Sequence, residues 1–116
     1  MQPEDAIRLR HMIDSAEKAL GFVENRSRED LENDSLLAFA LTRAIEILGE
    51  AASRIAPDTR RSLAEIPWVP IIGMRNRVVH AYFDINLNVI WKTATEEIPK
   101  LLPLLRTALN DDDISR

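Results

Sequence analysis

At 116 residues the chain is long enough for one domain and not two, and it holds no Gly/Ser linker at which to divide it. A composition of 46% hydrophobic and 29% charged residues excludes a disordered or collagen-like chain. Zero cysteines exclude disulfides, thiolate zinc sites and thiol nucleophiles, and favour a cytoplasmic location. The net charge of −4 excludes a broad electrostatic footprint for nucleic acid, although residues 51–83 hold five Lys/Arg against two Asp/Glu. Three glycines and 5% aromatic residues argue against a strand-and-turn protein, so the expected class is all-α. The acidic start and an apolar run no longer than Leu36–Leu41 predict neither an export nor a membrane segment.

Apolar residues from Ile7 to Val23 recur at helical spacing behind Pro3, Glu4 and Asp5, which predicts a first helix over about 3–23. Ser27 followed by Asp30 predicts a capped short turn through Glu32. The stripe from Leu37 to Ile55 then predicts a second long helix over about 34–55. Gly49 inside it costs about 1 kcal/mol relative to alanine, and close contact with another helix is the simplest compensation. Pro57 and Asp58 restart the chain into a short segment ending near Ile66. Pro67 and Pro70 bracket Trp68 at the start of a third long element reaching Tyr82. Asp84 is placed to cap a last helix whose stripe runs from Leu87 to Leu105, with Pro99 and Pro103 kinking or breaking it. Short connections between four main helices predict an antiparallel four-helix bundle with short extra helices, a single domain over 1–109 and a frayed tail over 110–116.

The most polar part of the third element is Arg75-Asn76-Arg77-Val78-Val79-His80-Ala81-Tyr82. At about 100° per residue, Arg75 and Tyr82 lie within about 20° of each other, whereas Arg75 and His80 stand about 140° apart. One continuous helix cannot aim all of them at one point. Either the arginine reaches round, or the helix ends near His80, or a second copy completes the site across a two-fold axis. An imidazole with an ordinary pKa of about 6.5 can move a proton near neutrality, and a guanidinium can grip a phosphate through two hydrogen bonds. Such a set suits RNA cleavage by the RNA's own 2′-hydroxyl without a metal. A structural role competes: the histidine at a helix end, Tyr82 at the core edge, and Arg75 paired with Glu50 or Glu65.

The R-x-x-x-x-H-x-Y pattern filled by Arg75, His80 and Tyr82, with Asn76 after the arginine, resembles the signature of HepT-like proteins of the HEPN superfamily. The resemblance extends to residues 47–52, to residues 66–76, and to Trp91 with Pro99, and covers roughly residues 5–105. It implies a HEPN-like helical homodimer, the toxin of a type VII toxin-antitoxin pair, with a MntA-like nucleotidyltransferase antitoxin as partner and RNA as substrate. It further implies Arg75 and His80 as the ribonuclease residues, Asn76 as their helper, and Tyr82 as the acceptor of a silencing AMP. The alternative is a non-catalytic HEPN module that serves as partner and substrate of the nucleotidyltransferase. Neither reading calls for a cofactor or a metal. Arg54, Arg60, Arg61 and Arg77 are candidate phosphate or partner contacts, with plain surface charge as the competing reading. Glu46 and Glu50 share a helix face without a histidine at di-iron spacing, and His11 and Asp111–Asp113 are expected to be solvated.

Overall fold

The computed structural model describes residues 1–81 and 84–115, with the side chains of residues 78–81, 84 and 115 outside that description. Helix α1 spans Pro3–Val23, α2 Arg28–Asn33, α3 Ser35–Ser53, α4 Pro57–Ser62 and α5 Trp68–Val78. Two short strands follow, β1 (Val79–Ala81) and β2 (Asp84–Ile85), and then α6 (Leu87–Lys92), a π-helical turn (Thr93–Glu97) and α7 (Ile98–Ser115). The all-α class and the four-helix bundle hold, the four columns being α1, α3, α5 and the joined α6–α7.

Each column begins where the local chemistry permits. Pro3 occupies the first turn of α1, where its missing N–H is no loss, with Glu4 and Asp5 beside it. Ser27 donates its backbone N–H to Asp30 Oδ2 at 2.8 Å at the head of α2, and Asp34 Oδ1 accepts from Leu37 N at 3.1 Å at the head of α3. Leu9, Met12 and Ala16 of α1, Leu41, Ile45 and Leu48 of α3, Ile71 of α5, and Ile90, Ile98 and Leu105 of the last column fill one core. Buried side chains of this kind each contribute roughly 1.5–3 kcal/mol. The stripe on α1 is turned slightly from expectation: Ala6 and Ala19 are buried while Ile7 is exposed. Small residues there let α1 lie close to its neighbours.

Buried Asp5, at the start of α1, reaches the segment after α3, and Glu17 of α1 pairs with Arg106 of α7. These ties set α1 antiparallel to both α3 and α7. Among the described residues no helix is long and apolar enough to cross a membrane.

Four boundaries differ from the sequence reading. First, α5 stops at Val78 instead of running to Tyr82, since the β-branched pair Val78-Val79 favours extended backbone and β1 finds a partner in β2. Second, Asn86 and not Asp84 caps α6, its Oδ1 accepting from Val89 N at 3.1 Å. Third, the last column does not break ahead of Pro99. A π turn widens it, with Ile98 N bonding to the carbonyl of Thr93, and makes room for a ring that would otherwise press on the carbonyl four residues back. Fourth, the segment from Asn110 is helical through Ser115 rather than frayed. The N-terminal ammonium pairs with Asp112 at 2.9 Å and Arg10 of α1 lies 3.7 Å from Asp113, so two of the three tail aspartates are counter-charges of the N-terminal segment.

Candidate functional site

The site is built on α5. Pro67 precedes the helix, Ile71 N bonds to the Pro67 carbonyl at 3.2 Å, and Trp68 Nε1 donates to the Leu63 carbonyl at 3.0 Å, fixing the first turn. Trp68, Ile71 and Met74 face the core, which leaves Arg75, Asn76 and Arg77 outward on the last turn.

Gly49 explains how that turn is placed. A Cβ there would stand 3.1 Å from the carbonyl oxygen of Ile71 and 3.9 Å from the backbone N of Arg75. The backbones of α3 and α5 therefore meet at this glycine, and the motif arginine is set by backbone contact instead of by a flexible side chain. The expected close contact is thus present, and it lies at the first residue of the motif.

Arg75 has a side chain 54% exposed, with Nη1 3.5 Å from Glu50 Oε1, and Arg43 Nη1 approaches the same oxygen at 3.9 Å. Glu50 is accordingly the partner, not Glu65. Charge-assisted hydrogen bonds close to about 2.7–2.9 Å, so both contacts are loose and the guanidinium keeps most of its donors for a ligand. Arg77 points the other way, with Nη2 3.3 Å from the Pro70 carbonyl and 3.6 Å from Glu97 Oε2. Asn76 and Arg77 line a polar cavity against α6 and the π turn.

His80 lies in β1, two residues beyond the end of α5. Its backbone is extended and the helix ends before it, so the 140° separation on a continuous helix does not govern it. The His80 side chain and Tyr82 lie outside the described residues.

The other arginines separate from this group. Arg54 caps the C-terminus of α3, Arg61 pairs with Asp58, and half-buried Arg60 has an Nε without a hydrogen bond. They sit on the corner formed by α3 and α4, and no described contact joins them to Arg75 or Arg77. Glu46 and Glu50 lie on α3 with no third ligand: among the described residues no three His, Cys, Asp or Glu side chains group to hold a metal. His11 is exposed beside an apolar cavity between α1 and α3.

Sequence reasoning missed Lys92 and Glu97, which the π turn brings to the cavity beside Arg77. The presence of Pro99 was the available signal, for it asks for an adjustment in the preceding turn. It also missed Asp5, a helix-start acid that is only 4% exposed.

A family described as Ribonuclease HepT-like matches residues 12–108, a span that contains Gly49, the motif arginine and the π turn. The chain belongs to this family. It is 37% identical over 93 residues to a protein of Caldanaerobacter subterraneus subsp. tengcongensis named "Putative RNase", covering 80% of this chain and 83% of the relative. It is 39% identical over 93 residues to the "Probable ribonuclease HepT" of Thermococcus cleftensis, covering 77% and 84% respectively. A Methanocaldococcus jannaschii protein, also named "Putative RNase", is 32% identical over 90 residues, with 78% and 83% covered. No solved structure matches the HepT-like chain.

Proposed function

We propose that this HepT-like protein is an endoribonuclease that cleaves RNA through Arg75 and His80, with Asn76 as helper, and needs no metal. One observation carries the reading. In a chain of this family, the motif arginine stands exposed at a glycine-set helix crossing, with only long contacts to carboxylates. A guanidinium so held is preorganised for a phosphate, and preorganised charge is what stabilises a phosphorane-like transition state.

The chemistry balances within the substrate. The 2′-oxygen attacks the adjacent phosphorus, the bond to the 5′-oxygen breaks, and the products are a 2′,3′-cyclic phosphate and a 5′-hydroxyl. His80 serves the proton leaving the 2′-hydroxyl or the one arriving at the 5′-oxygen. Arg75 offsets the charge that grows on the non-bridging oxygens.

The finer reading follows the family resemblance. The active form is a homodimer in which two motif segments share a cleft. The protein is the toxin of a type VII pair, and a MntA-like nucleotidyltransferase antitoxin silences it by attaching AMP to Tyr82. Apolar side chains left exposed on α3, Leu36 at 80% and Phe39 at 61%, support association with another chain. An AMP phosphate close to Arg75 would compete with RNA phosphate for the same guanidinium.

The decisive substrate is an RNA with a single 2′-deoxy substitution at the scissile position, assayed in EDTA. It should remain uncut while the all-ribose RNA is cleaved and His80→Ala is inactive. Equal cleavage of the two RNAs would overturn attack by the 2′-hydroxyl. Light scattering tests the dimer, a fully active monomer counting against it. Mass spectrometry after co-expression with the nucleotidyltransferase tests Tyr82, and AMP mapping to another residue would remove it from the control.

A further inference from the structure

We propose that the cavity walled by Asn76, Arg77, Lys92, Thr93 and Glu97 is a second phosphate subsite, which holds a further phosphate of the RNA strand whose scissile phosphate is taken by Arg75; it rests on the ribonuclease reading above. The cavity measures about 440 Å³, and of its seven lining residues all but Val89 carry a polar side chain, so a phosphodiester has both room and donors there.

Its charges are two cations and one carboxylate. Lys92 makes no ion pair among the described residues. Arg77 spends one donor on the Pro70 carbonyl at 3.3 Å and rests 3.6 Å from Glu97 Oε2, too far for a hydrogen bond. That Glu97 oxygen is shielded from solvent and has no hydrogen-bond partner. The half-exposed Arg77 guanidinium thus has donors to spare, and those donors, not the Glu97 oxygen, are what an anion would take. One monoanionic phosphodiester would bring the four charges to zero and occupy the spare donors of Arg77 and Lys92, while Glu97 keeps the guanidinium aimed when the subsite is empty.

The backbone shows that the juxtaposition is built. In an α-helix, residues five apart lie about 140° from one another round the axis, so Lys92 and Glu97 would not share a cavity wall. The π turn over Thr93–Glu97 shifts the register and brings both to it. Single π turns are uncommon and recur at functional sites. On α5, Arg77 follows Arg75 by two residues and so lies about 160° from it round the axis, which puts the subsite on the far side of the same helical turn, where an RNA strand reaches it by passing round the end of α5.

Binding of a non-cleavable single-stranded 2′-O-methyl RNA to the full-length protein, measured by anisotropy over a range of KCl, tests this. Each backbone phosphate neutralised on a single strand contributes about 0.7 to the slope of log K against log salt. The double variant Arg77→Gln with Lys92→Gln should lose about that much slope and bind roughly tenfold more weakly at low salt. Arg77→Lys should keep the slope, and Glu97→Gln should tighten binding. An unchanged slope and affinity in the folded double variant, with the wild type binding and cutting RNA, would overturn the subsite and leave the ribonuclease reading standing.

Should the wild type neither bind nor cut RNA, the ribonuclease reading fails and titration with inorganic phosphate decides the subsite. Shifts of the Arg77 Nε–Hε resonance that are lost in the single variant Lys92→Gln, which keeps that group, support it. No shift there overturns it.

Discussion

Two corners of the bundle treat their polar groups in opposite ways. Where α1 begins, Asp5 is almost wholly buried, and its two oxygens accept hydrogen bonds from Ala56 N at 3.1 Å and Thr59 Oγ1 at 2.5 Å. Around the end of α5, the contacts Arg75–Glu50, Arg77–Glu97 and Arg43–Glu50 are 3.5, 3.6 and 3.9 Å long, and a shielded oxygen of Glu97 has no hydrogen bond. Buried groups that are fully paired contribute to stability, whereas loosely paired charges at a surface contribute little to it and stay free to bind. The first corner locks α4 to the bundle; the second holds cations in readiness.

The largest effect expected from this contrast is on catalysis. Arg75→Ala should lower RNA cleavage by a factor of at least about 100, the scale seen when a preorganised charge-stabilising donor is removed. Because the side chain is about half exposed and its pair is long, thermal unfolding should shift by no more than about 0.5 kcal/mol. Cleavage rates and unfolding curves on the same preparation check both halves. A large loss of stability would make Arg75 a structural residue and remove the contrast.

Asp5→Ala should show the reverse. It strands a backbone N–H and a hydroxyl in a buried place, and the expected loss is about 2–3 kcal/mol. Cleavage per folded molecule should stay at the wild-type level. Urea unfolding measures the first and single-turnover cleavage below the unfolding transition measures the second.

Gly49→Ala lies between the two. Helix propensity favours alanine by about 1 kcal/mol, but the new methyl would press on the Ile71 backbone carbonyl, and overpacking of that kind costs about 1–3 kcal/mol. The net expectation is a loss of about 1 kcal/mol together with a several-fold fall in cleavage, because α5 is pushed outward at the residue that carries the guanidinium. Unchanged activity would show that the crossing supports the bundle without positioning Arg75.

What the sequence disclosed follows the same division. Long amphipathic columns are written in repeated apolar spacing, and the prolines and acids that start them are local, so α1 and α3 fall within a residue or two of expectation. Gly49 was legible because a glycine inside a strong helix stripe asks for a reason, and the close approach to α5 supplies it. The end of α5 was not, because polar motif residues obscure the apolar period and Val78-Val79 decide for extended chain only once β2 is available to pair. Lys92 and Glu97 could not be placed beside Arg77 from spacing, since α-helical geometry puts them on different faces and only the π turn unites them. The paired tail aspartates depend on contacts with Met1 and Arg10, more than a hundred residues away in sequence, which no local pattern encodes.

The smallest expected effect sharpens the contrast most, because it separates holding a cation from using it. Glu50 is the shared counter-charge of Arg43 and Arg75 through one carboxylate oxygen. If those loose pairs mattered for folding, Glu50→Gln would destabilise the protein; long, exposed pairs predict a change of less than about 0.5 kcal/mol. The same substitution removes the group that competes with RNA phosphate for Arg75. Affinity for a non-cleavable RNA should therefore rise two- to fivefold at low salt, with most of the gain gone near 1 M, where the screening length shrinks to about 3 Å. Weaker RNA binding in Glu50→Gln would mean that the carboxylate aims Arg75 more than it competes for it, and that the looseness at the end of α5 is itself a positioning device.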